Sequence, residues 1–184
     1  MRDGIDVEFR EVGMRDGLQN VEGFFPTGAK IAWMKAEVAS GMHAIEICSF
    51  VPPKLIPQFK DAAEVVEATH ATDTGDCIIS ALIPNMKGAE RGVELGMKKL
   101  NFVASVSETH NLSNVRRKPE ESIEDFQRIV EMRNALPDQQ KFVIDGGLST
   151  AFGCTMEGNI DPTATVKLAQ QFVEAGADHL TVCD

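Results

Sequence analysis

Arg15 and Asp16 stand side by side in the decapeptide Glu11-Val12-Gly13-Met14-Arg15-Asp16-Gly17-Leu18-Gln19-Asn20, where a strand-like stretch from Val7 to Val12 ends at Gly13. Arginine offers a fixed planar fork of donors to carboxylate or enolate oxygens. Aspartate gives a hard oxygen ligand to a divalent cation. Adjacent at the end of that stretch, the two suit a site that binds a cation and an anionic substrate at once. Arg-Asp-Gly is also a good turn sequence, and these three letters alone read first as an ordinary turn salt bridge.

Three further stretches extend the pattern: Ile45-Glu46-Ile47-Cys48-Ser49-Phe50-Val51-Pro52-Pro53-Lys54, then Ile83-Pro84-Asn85-Met86-Lys87-Gly88, then Phe152-Gly153-Cys154-Thr155-Met156-Glu157-Gly158. With Gly13 to Asn20, in this order and at these spacings, they resemble the signatures of the hydroxymethylglutaryl-CoA lyase family, among the metal-dependent TIM-barrel lyases and condensing enzymes. The resemblance runs along nearly the whole chain. The family usually has Pro at Met14, Ser at Pro52, an aromatic at Leu55 and Pro-Tyr at Thr155-Met156. What the resemblance implies for the fold is a (β/α)8 TIM barrel, of which about six strands and five helices are expected in a single domain over residues 1–184. A closed barrel typically takes about 250 residues, so the C-terminal portion is expected to be missing. The family's His-x-His metal pair, Gly-rich loop with a reactive Cys, and Asn ligand have no counterpart in the sequence.

The elements that must position these residues are legible as alternating strand-like and amphipathic stretches. Strands are expected near 5–12, 43–48, 77–82, 99–105, 141–148 and 179–183. Pro119, Glu120 and Glu121 open one helix, whose stripe is Ile123, Phe126, Ile129 and Val130 and which Pro137 closes. Asp161 and Pro162 form an N-cap and first-turn pair for another, with a stripe of Val166, Ala169, Phe172 and Val173 before Gly176. Three joints share one pattern: Gly41, Gly96 and Gly176 are each followed at +4 and +6 by apolar residues and at +5 by a polar one. Alternation then sends Glu46, Asn101 and Thr181 to the face opposite Ile45, Leu100 and Leu180, which in a barrel is the interior. An interior carboxylate is expensive unless paired or liganding, so Glu46 requires a cation or donor, with Arg15 the nearest candidate.

Composition bounds the function classes. The 184 residues are 43% hydrophobic and 25% charged, ordinary for a globular domain, and the net charge of −10 argues against nucleic acid. The one basic cluster, Arg116-Arg117-Lys118, is followed at once by acids and reads as a solvated loop, with an anionic cofactor tail as the alternative. Cys48, Cys77, Cys154 and Cys183 have no paired spacing, which fits free thiols in a reducing compartment. No signal core, transit segment or membrane-length apolar run is present in the sequence, so the expectation is a cytoplasmic protein without a membrane partner. His43, His70, His110 and His179 lack ligand spacing; His110 is singular in following the fourth strand, where barrel enzymes place active-site loops. Cys154 reads as a small packed residue.

The activity that the resemblance implies is cleavage of 3-hydroxy-3-methylglutaryl-CoA to acetyl-CoA and acetoacetate. On that reading Arg15 stabilises the developing enolate oxygen, and Asp16 ligands a divalent cation, Mg2+ or Mn2+, that chelates the substrate's hydroxyl and carboxylate. Glu46 orients Arg15 or the substrate hydroxyl, and Asp184, at a strand's C-terminal end, is a candidate in proton transfer. Gln19, Ser49 and Asn85 are candidate substrate contacts, with turn and cap chemistry as the competing account. The partners implied are a small acyl-CoA and further copies of the chain in a homo-oligomer. Two alternatives stand beside this one: a condensing enzyme joining an acyl-CoA to a 2-oxo acid, and an inactive barrel fragment that associates with another chain. The 184 residues alone are expected to be inactive, since Asp16 by itself cannot satisfy a divalent ion.

Overall fold

A computed structural model describes residues 9–184, which form two compact units divided between Leu82 and Ile83. In the first unit, β1 (Arg10–Glu11), β2 (Ala44–Ser49) and β3 (Ile78–Ile83, its last residue at the division) are parallel, with β2 in the middle. The first strand was expected over 5–12; positions 5–8 lie outside the described residues. Parallel strands covered by crossover helices are buried on both faces and read as apolar runs, and β2 is buried from Ile45 to Ser49. Its register with β3 slips between Glu46 and Cys48, a bulge of the kind that re-aims side chains beside a site.

The crossover helices of this unit are α1 (Thr27–Ala39) and α2 (Ala62–His70), which pack on each other. Gly41 ends the first joint with φ +83°, the left-handed conformation a helix stop requires. A polar knot joins the two helices. Lys30 Nζ bonds Asp61 Oδ1 at 2.7 Å and also the carbonyl of Gln58. The Gln58 amide in turn donates to the carbonyls of Val21 and Gly23 and accepts from Phe25 N–H at 2.9 Å, fixing the segment that follows the Arg-Asp turn.

The second unit holds α3 (Met86–Glu94), β4 (Lys99–Ser105), α4 (Glu108–Val115), α5 (Pro119–Ala135), β5 (Val143–Ser149), a small antiparallel hairpin of β6 (Gly153–Cys154) and β7 (Gly158–Asn159), α6 (Pro162–Glu174) and β8 (His179–Val182). β4, β5 and β8 are parallel in that order. Phe102, Phe126 and Phe172 meet edge to face with centroids 4.8–6.3 Å apart, the preferred aromatic geometry, and form the core between sheet and helices. Gly146 is dictated by this packing, since a Cβ there would lie 2.6 Å from the Phe172 ring.

Six α-helices are present among the described residues, against about five expected, because Ser107 caps a short helix in what reads as the loop after β4. The α5 stripe of Ile123, Phe126, Ile129 and Val130 is buried as its spacing requires, and Asp161 caps α6 through Thr163 N–H. The α6 stripe is corrected. Leu168 and Phe172, four apart on one face, are buried, whereas Val166 and Val173 are 56% and 58% exposed. Arg117 is also corrected, since it is no solvated loop residue: its guanidinium holds Asp125 and the Pro84 carbonyl, tying the start of α5 to the turn before α3. No helix among the described residues is long and apolar enough to cross a membrane.

Candidate active site

After β1 the chain makes one π-type turn over Gly13–Gly17, in which the N–H groups of Arg15, Asp16 and Gly17 converge on the Val12 carbonyl at 3.0, 2.6 and 3.4 Å. Gly13 permits it. A Cβ there would fall 2.6 Å from Glu11 Oε1 and 2.9 Å from the Trp33 ring. Met14 and Leu18 anchor the two ends of the turn in the core. Asn20 closes it by donating to the Asp16 carbonyl at 2.9 Å.

The turn presents Arg15 to β2. Its Nε donates to Glu46 Oε1 and its Nη1 to Asp16 Oδ1 at 2.7 Å. Glu46 is 1% exposed, Arg15 17% and Asp16 53%, so the guanidinium bridges a buried carboxylate to a solvent-facing one. A carboxylate in an apolar strand is tolerable when a cation and hydrogen bonds compensate it, and Arg15 supplies both. The reverse also holds: a fork gripped by two carboxylates is pre-organised, with Nη2 still able to meet an oxyanion. Gln19, two residues past the turn, is exposed. Ser49 is buried, and its hydroxyl accepts from Val51 N–H at 3.2 Å, a local turn bond at the end of β2.

The remaining candidates belong to the second unit. Asn85 is the N-cap of α3, its side-chain oxygen accepting from Gly88 N–H at 3.0 Å. Asp184 is exposed beyond the end of β8. Asn101 is buried in β4 and faces Asp145 across the register, while Thr181 faces Gly147. Asp145 is itself buried and holds Lys99 at 3.0 Å and His179 at 3.1 Å.

A polar cluster at the C-terminal ends of β4 and β5 includes His110, the histidine that the sequence sets apart, together with Ser105, Thr150 and Glu157, which residue reading missed. Ser105 Oγ lies 2.7 Å from His110 Nδ1, and Ser107 caps α4 by accepting from His110 N–H at 3.1 Å. Thr150, with φ +55°, accepts from Ser107 N–H at 3.1 Å. The Ser107 hydroxyl and the Met156 N–H, each within 3.3 Å of Cys154 Sγ, hold that thiol below its ordinary pKa. Glu157 is likewise held below the usual carboxylate range by Thr109, whose backbone N–H it accepts at 2.7 Å at the start of α4. The available signal was the capping sequence Ser107-Glu108-Thr109-His110, a serine followed by an acid ahead of a helix.

For a divalent cation, the chain's offer is Asp16, an exposed carboxylate with one oxygen held by Arg15. No group of three or more His, Cys, Asp or Glu suited to a metal occurs among the described residues. The donor chemistry fits one oxygen of a site that normally has six or more.

Comparisons with known proteins give the family and the fold. The HMGL-like family model matches residues 6–184. The hydroxymethylglutaryl-CoA lyase YngG of Bacillus subtilis is 33% identical over 97% of this chain and 58% of its own length, and the mitochondrial hydroxymethylglutaryl-CoA lyase of Arabidopsis thaliana is 32% identical over 97% of this chain and 37% of its own. The chain therefore spans roughly a third to three-fifths of these relatives. Among solved structures, the hydroxymethylglutaryl-CoA lyase of Pseudomonas aeruginosa matches with a TM-score of 0.88 at 31% identity, covering 97% of this chain and 57% of that one. An HMG-CoA lyase from Acinetobacter baumannii, in complex with coenzyme A and 3-methylmalate, matches at 38% identity with a TM-score of 0.83, covering 94% of this chain and 54% of that one. The architecture is thus that of a partial (β/α)8 barrel with six of its parallel strands, and the chain belongs to the HMGL-like family.

Proposed function

We propose that this chain carries the Arg-Asp half of a carbon–carbon lyase site that cleaves 3-hydroxy-3-methylglutaryl-CoA, or a close 3-hydroxyacyl-CoA, to acetyl-CoA and a 3-oxo acid. The observation that carries the reading is the Glu46–Arg15–Asp16 relay at the end of the first strand. In the cleavage, the tertiary hydroxyl loses a proton, the adjacent carbon–carbon bond breaks, and the electron pair moves onto the thioester as an enolate. Arg15, permanently cationic and pre-aimed by Glu46, meets that developing charge; a fixed donor of this kind is typically worth about 10²–10³ in rate. Asp16 would hold one face of a Mg2+ or Mn2+, which when bound polarises the substrate's hydroxyl and carboxylate oxygens. Asp184 is the candidate for moving the hydroxyl proton, and Gln19, Ser49 and Asn85 for contacts to the acyl group.

Acyl-CoA use is supported by the bound coenzyme A of the Acinetobacter relative. The four free thiols support a reducing compartment such as the cytoplasm. The test is an assay of the natural full-length protein for metal-dependent release of acetyl-CoA and acetoacetate from 3-hydroxy-3-methylglutaryl-CoA, beside acetyl-CoA plus 2-oxo acids. Cleavage abolished by chelation and restored by Mg2+ or Mn2+ is expected; condensation without cleavage would replace the lyase reading.

A further inference from the structure

The turn that carries Arg15 is held from two sides, and the chemistry proposed above uses only one of them. On the interior side Glu46 takes the Arg15 Nε–H. On the other, Glu11 Oε1 takes the N–H of Gly13, the first residue of the turn, at 2.5 Å. Glu11 pairs in register with Ile45, so strand alternation puts its side chain on the face of the sheet opposite Glu46. An acid is out of pattern on that face, where Ile45 is fully buried. The Trp33 ring of α1 backs the same point, 2.9 Å from where a Gly13 Cβ would lie. The indole is fixed in turn by Glu37, which accepts from its Nε1 at 2.8 Å, and by the Phe25 ring, edge to face with centroids 6.2 Å apart.

A helical turn begins with N–H groups that have no partner within it, and an N-cap serine, threonine, aspartate or asparagine normally supplies one. Here the N-cap is Val12, whose side chain has no acceptor, and no side-chain cap bond is made from that position. Glu11, one residue earlier, supplies the acceptor instead. The bond matters because of the peptide unit it holds. The oxygen of the Val12–Gly13 peptide accepts from Arg15, Asp16 and Gly17, and the N–H of that same peptide is the one Glu11 takes. One plane is thus gripped at both ends. Without the carboxylate it can rotate, and the three bonds that converge on its oxygen, with Arg15 among them, move with it. Glu46 fixes the guanidinium and Glu11 the backbone that delivers it.

We infer that Glu11 is a positioning residue for Arg15, fixing the Val12–Gly13 peptide plane from the face opposite Glu46. The task of Arg15 rests on the lyase reading; its placement does not. The test uses the natural full-length protein with 15N-labelled arginine. The Arg15 Nε–H, held by Glu46, should exchange slowly with solvent in the wild type. Glu11→Ala and Glu11→Met, which lack the acceptor, should speed that exchange about tenfold, the equivalent of a lost cap. Glu11→Gln keeps a side-chain oxygen for Gly13 N–H and should stay close to wild type. With 3-hydroxy-3-methylglutaryl-CoA, Glu11→Ala should lower kcat by about 10–10², as a displacement of about 1 Å at a catalytic group does, with KM little changed, and Glu11→Gln should recover most of the loss. A merely structural Glu11 would lower Tm and leave both the exchange and the kcat of the folded protein unchanged. Unchanged exchange in both Glu11→Ala and Glu11→Met, wild-type kcat in Glu11→Ala, or a Glu11→Gln variant as impaired as Glu11→Ala overturns the assignment. The exchange is read without substrate, so a protein that cleaves no hydroxyacyl-CoA yet shows the Glu11 effect loses the lyase reading alone, and cleavage with the exchange unmoved loses the Glu11 assignment alone.

Discussion

Replacing Lys30 by Met leaves most of its buried stem in place and removes the charge that Asp61 faces. Lys30 is 2% exposed and Asp61 4%, and Nζ lies 2.7 Å from Oδ1. Among the described residues Asp61 Oδ2 has no hydrogen-bond partner, so compensation of that carboxylate comes through Oδ1 and Lys30. Removing one member of a buried pair typically costs about 3–5 kcal/mol, because the other charge stays buried and uncompensated. For 184 residues the unfolding entropy is about 0.4 kcal/mol/K near the melting temperature. Lys30→Met should therefore lower Tm by about 8–13 °C in a circular-dichroism melt. Lys30→Met/Asp61→Leu removes both charges and should recover most of that loss, because apolar replacements of buried pairs are often neutral. Hydrogen exchange at residues 21–25 should speed up in the single variant, because Lys30 holds the Gln58 carbonyl whose side chain ties that segment. A single variant less than about 1 kcal/mol below wild type, or a double variant as unstable as the single, would mean that Lys30 does not compensate a buried Asp61 charge.

Four other outcomes are expected. Glu46→Ala should lower kcat by up to about 10²–10³ by releasing Arg15, and Glu46→Gln, which keeps an acceptor for Nε, should lie between it and wild type; equal activity of all three would remove Glu46 from the site. Gly146→Ala should destabilise the second unit by about 1–3 kcal/mol, since its Cβ has nowhere to go but into Phe172, and urea denaturation reads it. Gly13→Ala should reduce activity more than stability, because the Trp33 ring must shift and the turn carrying Arg15 with it; unaltered kcat would contradict this. Glu157 has its native pKa depressed by Thr109, so its contribution to stability is present above the unfolded carboxylate pKa and is lost as pH falls through the native value; the stability gap between wild type and Glu157→Gln should accordingly close in acid.

Local chemistry explains what is readable in the sequence. Gly41, Gly96 and Gly176 are legible because a helix stop needs positive φ, and all three have it. The Glu46–Arg15 pairing follows from strand alternation plus the cost of a buried carboxylate, two rules that act without knowledge of the rest of the fold. Long-range terms hid the remainder. Lys30 sits in the first turn of a helix, where lysine is normally solvated; a partner 31 residues away decides its burial. Val166 and Val173 fit a helical stripe as well as Leu168 and Phe172 do, and packing on Gly146 selects the face carrying Phe172. The polar cluster around His110 draws on Ser105, Asn111 and Thr150, ordinary polar residues whose convergence depends on the ends of two strands. Asn85 and Ser49 show the opposite situation, in which a polar residue at a strand end is engaged in cap and turn bonds that sequence alone reads equally as substrate contacts.

On the reading proposed above, Arg15 acts on charge that develops as the carbon–carbon bond breaks. Steady-state kinetics of Arg15→Met in the natural full-length protein, with saturating Mg2+ and 3-hydroxy-3-methylglutaryl-CoA, test it most directly. kcat should fall by about 10²–10³ while KM changes by only a few-fold, the signature of an interaction made mainly in the transition state. A raised KM with kcat unchanged would make Arg15 a ground-state binding residue, and unchanged kinetics would reduce Glu46–Arg15–Asp16 to a turn salt bridge.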